Sequence, residues 1–414
     1  MAMDIAHRDH LLAAFHGVFA VAVLLLCLLA EVLVFALGLR TALYLVPVSA
    51  MLPLCFFQRR VAADIGLVDF SCLKPPRRLR LPVAKLIEHF KLIRCFNRDS
   101  VEFMTKAIQA GGMGNETYFP PALHCIPPVA AHADAIQEAH ALFFPTLDDL
   151  FAKTGVAPSA VGALIVNCSG FCPAPSLTAI IANHYGMRSD LKTFNLSGMG
   201  CSAGVIGVDV ASRLLRLHSM SMSCAVVVNA EIFTAGWYSG KEHAKLLLNC
   251  YFRSDDQSYR SGYRDDDEEG ITGFTVGQGV GRMFSEMLRA HLAALGPSIL
   301  PWCERLRYMA ALLLSLRIRR YKLVDSAVPV PTPDVRAAAD HFCLTSNGRP
   351  IISRMERGLG LGEIEVEAAL MTFHRFSNQS AASLWYQLAY LEGWRPRVES
   401  GRATPCGNAA SGAG

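Results

Sequence analysis

The segment Asn195-Leu196-Ser197-Gly198-Met199-Gly200-Cys201-Ser202-Ala203-Gly204 lies at the centre of this 414-residue chain. Helically spaced apolar residues follow it at Ile206, Val210 and Leu214, which places Cys201 on a Gly-rich turn at the start of a helix. The glycines allow a sharp backbone and close approach by a ligand. Unpaired N–H groups at a helix N-terminus lower the pKa of a thiol and favour the nucleophilic thiolate. A buried, inert cysteine fits the local pattern equally well, so both interpretations stay open.

Apolar runs on either side of this turn predict an α/β core. Residues 161–168 form a continuous apolar run of strand length, which is typical of a strand buried on both faces, and residues 224–229 form a second. Helical patterns cover residues 132–154 and 176–185, as well as the segment after Cys201. The order strand, helix, nucleophile turn, helix, strand indicates parallel strands joined by crossovers.

Two shorter segments also have a predicted structure. Residues 68–76 suggest a short strand that ends at a pair of prolines. The second predicted core strand ends near Glu231, and the loop with Trp237 and Tyr238 beside it is a candidate for facing the site.

Composition excludes several classes of function. A net charge of +4 gives no reason to expect a nucleic-acid partner. The 13 cysteines are odd in number and scattered. The closest pair, Cys168 and Cys172, lacks the matching ligand pair that a zinc site needs. We therefore expect reduced thiols on the cytosolic side rather than a disulfide framework or a metal site.

The N-terminus predicts a membrane anchor over residues 1–60. Residues 11–39 are almost unbroken apolar sequence, and residues 41–57 are apolar again, so we expect two transmembrane helices at about 11–37 and 41–57. The rival interpretation is a cleaved signal peptide, but its apolar region would be too long and no clearly basic n-region precedes it. Basic residues then follow, among them Arg59, Arg60, Lys74, Arg77, Arg78, Arg80 and Lys85. By the positive-inside rule they predict that the larger domain faces the cytosol.

Several motifs resemble those of the plant 3-ketoacyl-CoA synthases, the membrane-bound condensing enzymes of very-long-chain fatty acid elongation. The segment around Cys201 resembles their active-site stretch, and the other matches run in the same order from the anchor to about residue 393. These are the segments at residues 68–76 and 114–118, Asn167-Cys168-Ser169, residues 173–176, Asn183-His184-Tyr185, residues 249–253, and His374-Arg375-Phe376-Ser377-Asn378 followed by residues 383–386.

The resemblance implies a thiolase-like fold of two related βαβαβ-type halves over residues 61–393. The composition of residues 394–414, which are rich in Gly, Ala, Arg and Ser, predicts a disordered tail. It implies that a long-chain acyl-CoA is condensed with malonyl-CoA through an acyl thioester on cysteine, without a metal or redox cofactor. It also implies an endoplasmic reticulum membrane location, a homodimer, and the elongase reductases and dehydratase as partners.

Four residues are candidates for the site by this resemblance. Cys201 matches the nucleophile, and Asn378 matches the asparagine that helps to hold the thioester oxygen. Asn378 also suits a helix cap, and the two roles are compatible. His374 matches a motif position, although a structural histidine is the alternative. His341 resembles a histidine that supports the site.

The sequence departs from the family in three places. Thr345 occupies the position of the principal catalytic histidine, and a hydroxyl cannot act as a base near neutral pH. A core strand is expected to be missing after Arg253, so the second half should be incomplete, and the usual C-terminal strand pair is replaced by the tail. The alternative function is therefore a catalytically impaired paralogue that binds acyl groups or elongase partners.

Overall fold

The computed structural model describes residues 28, 32, 65–218, 222–250, 262–276, 300–301, 303–308, 310–311, 334–345 and 348–398. The chain divides into two compact units, Met1–Gly66 and Leu67–Gly414. The anchor predicted for residues 1–60 lies outside the described residues, except at Leu28 and Val32. Among the described helices, none combines the length and the apolar character that a bilayer span requires.

A parallel sheet of three strands organises the larger unit. Its strands are β1 (Ala163–Asn167), β2 (Lys192–Leu196) and β3 (Ala225–Asn229), in the order β2-β1-β3. Every residue of β1 is buried, as its continuous apolar run predicts. Strand β3 is also where the sequence predicts it, but full burial alternates with partial burial along it.

Strand β2 was not predicted. The residues just before the Cys201 turn are mostly polar and predict a loop, yet Lys192–Leu196 pairs along its whole length with β1. It lies at the edge of the sheet, and four of its five side chains are exposed. Because it has no buried face, it lacks the apolar alternation by which a strand is recognised.

Helices cover both faces of this sheet. The helices whose bounds lie within the described residues are, in chain order, α1 (Val83–Leu92), α2 (Arg98–Gly111), α3 (His132–Thr154), α4 (Leu177–His184), α5 (Ala203–Leu217), α6 (His243–Cys250), α7 (Arg349–Leu359), α8 (Glu363–Phe376) and α9 (Ser383–Val398). Helices α3 and α4 pack through Phe143 and Ile181 against β1 and β3. Helix α5 packs through Ala211 against the opposite face, at Ile165. The predicted helix at 132–154 has the same bounds as α3.

A second core joins α1 and α2 to the chain after β3. Phe90 of α1 and Phe96 lie within 6.3 Å and 6.1 Å of Trp237, measured between ring centroids. Trp237 is 6% exposed and Tyr238 is fully buried. The expectation that these two aromatic residues face the site is therefore wrong, because they fill this core instead.

The rest of the chain follows the predictions only in part. Strands β4 (Gly262–Asp266) and β5 (Thr272–Val276) form an antiparallel hairpin, which contains the acidic residues after Arg253. Residues 251–261, where we expect a strand to be missing, lie outside the described residues. In the described part after β5 the named elements are helices and short turns, so the second βαβαβ-type half stays a prediction. Residues 68–76 form no strand, and α9 continues to Val398, beyond the predicted boundary at 393.

Candidate active site

The site lies at the carboxyl edge of the parallel sheet. Asn167, Leu196 and Asn229, the last residues of β1, β2 and β3, stand side by side in register. The loops that leave them must therefore meet above this edge, where open parallel sheets usually bind ligands. These loops bring Ser169, the Cys201 turn and Glu231 together.

The Cys201 turn has the shape that the sequence predicts. Cys201 lies in a short 3-10 turn, Gly200–Ser202, directly before α5 begins at Ala203. The φ angles of Gly198 and Gly200 are 73° and 54°, a conformation that side chains with a Cβ rarely adopt. The glycines are thus required by the backbone, and Cys201 lies at the N-terminal end of a 15-residue helix.

Ser169 holds this turn at two points. The N–H of Gly198 donates to the Ser169 carbonyl oxygen at 3.3 Å, and the N–H of Gly200 donates to the Ser169 hydroxyl oxygen at 2.7 Å. The two donor glycines lie three residues and one residue before Cys201 in the chain. Ser169 therefore fixes the peptide that leads into the nucleophile.

Glu231 holds Ser169 in turn. Its carboxylate accepts the N–H of Ser169 at 3.0 Å and the N–H of Gly170 at 3.2 Å. Burial raises the pKa of Glu231, and these backbone donors oppose the rise. The Cys168 thiol donates to the same carboxylate at 3.7 Å, and burial raises the pKa of that thiol well above its ordinary value. Cys168 is therefore a poor nucleophile in this site.

The turn that contains Asn378 packs on the start of α5. Helix α8 ends at Phe376, and the Asn378 side-chain oxygen accepts the N–H of Ser380 at 2.8 Å. A Cβ on Gly204 would lie 2.8 Å from the Ala381 carbonyl oxygen, so the two backbones touch at this glycine. The sequence predicts that a ligand approaches these glycines, but at Gly204 it is another part of the chain that does so.

Asn378 retains an unused donor. Its Nδ2 atom is buried and has no hydrogen-bond partner among the residues that the structure describes. An unpaired buried donor is costly unless a ligand satisfies it. The residue directly before the 3-10 turn Ser380–Ala382 is Gln379, so the capping role of Asn378 stays a prediction, and its nitrogen can donate to a bound carbonyl oxygen.

His374 lies against another part of the chain. It is exposed in the last turn of α8, and its Nδ1 atom is 3.3 Å from the carbonyl oxygen of Gly112. The N–H of Gly114 donates to the His374 carbonyl oxygen at 2.8 Å. These contacts suit the alternative of a structural histidine, and a catalytic role for His374 stays a prediction.

His341 and Thr345 belong to one irregular segment, which is anchored on α9. The Leu344 N–H donates to Gln387 Oε1 at 2.8 Å, and Gln387 Nε2 donates to the Leu344 carbonyl oxygen at 2.5 Å. The Thr345 hydroxyl, partly buried, donates to the sulfur of Met355 at 3.7 Å. His341 is exposed, and its supporting role stays a prediction.

Sequence reasoning missed the roles of Ser169 and Glu231. Both residues follow strands that were predicted, and polar residues after parallel strands gather at one edge. That signal was present in the sequence. The pairing of the two residues was not, because it depends on the register of β1 and β3.

The chain is similar to proteins of one family along most of its length. Residues 56–255 and 253–317 match the family described as FAE1/type III polyketide synthase-like protein. From Arabidopsis thaliana, 3-ketoacyl-CoA synthase 9 is 38% identical over 360 residues, which cover 80% of this chain and 69% of that protein. 3-Ketoacyl-CoA synthase 6 of the same plant is 40% identical over 359 residues, covering 79% and 71%.

Solved structures show the same fold at low identity. The 1,3,6,8-tetrahydroxynaphthalene synthase of Streptomyces coelicolor A3(2), a bacterial type III polyketide synthase, superimposes with a TM-score of 0.58 at 13% identity, covering 78% of this chain and 91% of that one. PKS-I from the brown alga Ectocarpus siliculosus gives a TM-score of 0.55 at 13% identity, covering 82% and 93%. The condensing-enzyme fold expected from the sequence is therefore confirmed.

Proposed function

This chain belongs to the 3-ketoacyl-CoA synthase family, and we propose that it condenses a long-chain acyl-CoA with malonyl-CoA through an acyl thioester on Cys201. One observation carries the proposal for this particular chain. The turn with the unpaired Nδ2 of Asn378 packs on the helix whose first turn follows Cys201. A nucleophile and a donor for a developing oxyanion are thus held by touching segments.

The first half of the reaction is acyl transfer. The Cys201 thiolate attacks the acyl-CoA carbonyl, the bond from that carbon to the CoA sulfur breaks, and CoA leaves as its thiolate. The oxygen of the tetrahedral intermediate carries the negative charge, and Asn378 Nδ2 is the donor for it. Ser169 and Glu231 keep the peptide before Cys201 in one conformation during this step.

The second half is the condensation. Malonyl-CoA loses CO₂, and the electron pair of the broken carbon–carbon bond forms an enolate of acetyl-CoA. The enolate carbon attacks the acyl carbonyl, the bond to the Cys201 sulfur breaks, and the thiolate is regenerated with release of 3-ketoacyl-CoA. Decarboxylation supplies the carbanion, so this step transfers no proton from the substrate to the protein.

Thr345 bears most directly on this second half. A histidine here would donate to the enolate oxygen and could also exchange protons, whereas Thr345 offers only a hydroxyl. That hydroxyl is directed to the sulfur of Met355. We therefore propose that enolate formation, rather than acyl transfer, limits the rate in this chain.

The setting of the reaction is also proposed. The apolar runs at 11–37 and 41–57 and the basic residues after them support an anchor in the endoplasmic reticulum membrane with the catalytic domain in the cytosol. Neither a metal nor a redox cofactor takes part in the proposed steps. A homodimer and the elongase reductases and dehydratase stay predicted partners.

The test uses membranes that contain the full chain. They are incubated with labelled long-chain acyl-CoA and malonyl-CoA, and 3-ketoacyl-CoA is measured by mass spectrometry. We expect product that is lost in Cys201→Ala and strongly reduced in Asn378→Ala, whereas Cys172→Ala, an exposed cysteine outside the turn, retains it. Acylation of Cys201 without any product would contradict condensation and support a chain that only accepts acyl groups.

A further inference from the structure

Positive charge is concentrated in residues 74–98, which we call the basic segment. It contains eight basic residues and one acidic residue, Glu88, although the whole chain has a net charge of only +4. The remainder of the chain is therefore net acidic. The basic residues are Lys74, Arg77, Arg78, Arg80, Lys85, Lys91, Arg94 and Arg98.

These cations are exposed, and no described carboxylate forms an ion pair with them. All eight side chains are in the exposed class, and none forms an ion pair with a residue that the structure describes. Within the described part of the chain, Arg80 is the one member of this set whose side chain donates a hydrogen bond, to the Asn115 carbonyl oxygen at 2.7 Å. Exposed cations elsewhere do pair with carboxylates, as in Lys106–Glu102 at 2.7 Å, Lys153–Asp149 at 2.6 Å and Arg213–Asp209 at 2.7 Å. The basic segment thus groups eight cations that have no carboxylate partner among the described residues, although single exposed cations elsewhere, such as Lys192, Arg216 and Arg354, also lack one.

Helix α1 carries two of these eight cations on its exposed side. Leu86, His89 and Phe90 point into the core, where each is at most 8% exposed. Lys85, Lys91 and the acidic Glu88 lie on the exposed side with Leu92, which is 61% exposed. The outward face of α1 therefore combines lysines with a large apolar side chain.

This combination fits one kind of surface. Exposed lysines and arginines gain energy near anionic lipid headgroups, and an apolar side chain between them can enter the headgroup boundary. A nucleic acid would satisfy the charge but offer no apolar surface to Leu92, whereas an anionic protein could offer both, so the position of the segment in the chain decides between protein and lipid. The basic segment also follows closely on the two apolar runs of the sequence. We infer that the basic segment is a docking surface for anionic phospholipid headgroups.

The test measures lysine exposure in the full chain. The protein is incorporated into vesicles of phosphatidylcholine alone, or with about a third of phosphatidylserine, and treated with a membrane-impermeant acetylating reagent. Acetylation of Lys85 and Lys91 is read by mass spectrometry relative to Lys106, Lys153 and Lys241 of the same molecules. This ratio cancels differences in orientation and recovery between preparations.

We expect relative acetylation of Lys85 and Lys91 to fall several-fold in the anionic vesicles and to recover at high salt, which screens headgroup attraction. The double variant Arg77→Gln/Arg78→Gln should abolish the protection, because each charge contributes roughly fivefold to partitioning onto an anionic surface. Arg188→Gln/Arg213→Gln removes two cations that are already paired, so it should retain the protection.

Three results would overturn the inference. The first is equal acetylation in neutral and anionic vesicles. The second is protection that survives Arg77→Gln/Arg78→Gln. The third is protection of Lys85 and Lys91 by free CoA but not by anionic vesicles, which would assign the cations to substrate phosphates. None of these results depends on whether the chain forms 3-ketoacyl-CoA.

Discussion

Replacing Gly204 with alanine tests whether the contact between the Cys201 helix and the Asn378 turn controls the chemistry. The new Cβ would lie 2.8 Å from the Ala381 carbonyl oxygen and 3.5 Å from the Ala381 Cβ. A carbon and an oxygen in ordinary contact are more than 3 Å apart, so the turn must move by roughly 0.5 Å. Asn378 is in the same turn and would move with it.

The free energy of unfolding should change less than the rate. Alanine gains about 1 kcal/mol of helix propensity over glycine, and overpacking costs about 1–3 kcal/mol, so we expect a net loss of about 0–2 kcal/mol. Because a misplacement of 1 Å can cost about 10²-fold in rate, a shift of about half that size should slow acylation of Cys201 by about tenfold. Single-turnover transfer from labelled acyl-CoA measures that rate.

Gly207 provides the matched control in the same helix. A Cβ there would lie 2.9 Å from a methyl group of Val227 in the sheet, with no contact to the Asn378 turn among its three nearest atoms. Gly207→Ala should therefore overpack α5 to a similar extent and leave acylation close to the unsubstituted rate. The reasoning is refuted if Gly204→Ala acylates normally, or if both variants slow acylation equally at equal stability.

Three further predictions address the site and the core. Ser169→Ala leaves the Gly200 N–H without its acceptor and should slow acylation of Cys201 by about tenfold in single-turnover assays, whereas Ser169→Thr should retain the rate. Equal acylation rates in the two variants would exclude a positioning role for Ser169. Thr345→His should raise product per acyl-enzyme by up to roughly the 10²–10³-fold that one oxyanion donor contributes, and Thr345→Val, which has no donor, should not. No gain with histidine would contradict the assignment of position 345. Burial lowers the pKa of His89 below 6.5, so the folded state resists protonation. The free energy of unfolding is therefore retained above about pH 6.5 and falls as the pH drops below that value. Urea unfolding at several pH values should show this decrease, and His89→Phe, whose side chain cannot titrate, should make the decrease smaller.

Local sequence determined much of the first half of the fold. The apolar run at 161–168 is long enough and continuous enough to specify β1, and the periodicity of 132–154 gives the bounds of α3. The glycines before Cys201 predict a turn that φ angles of 73° and 54° confirm. Each of these signals lies within one segment, where spacing and side-chain volume suffice.

Tertiary structure decided the features that depend on two distant segments. Strand β2 exists because β1 offers it unpaired backbone groups, not because its own residues are apolar. The burial of Trp237, the support of Ser169 by Glu231 and the closeness of Gly204 to Ala381 likewise join residues far apart in the chain. The sequence therefore identified Cys201 and Asn378 as separate candidates for the site, without showing that they lie near each other. Only the packing of α5 against the turn after α8 brings their segments together, because such contacts are set by backbone register and close packing, which leave no periodic pattern in either segment.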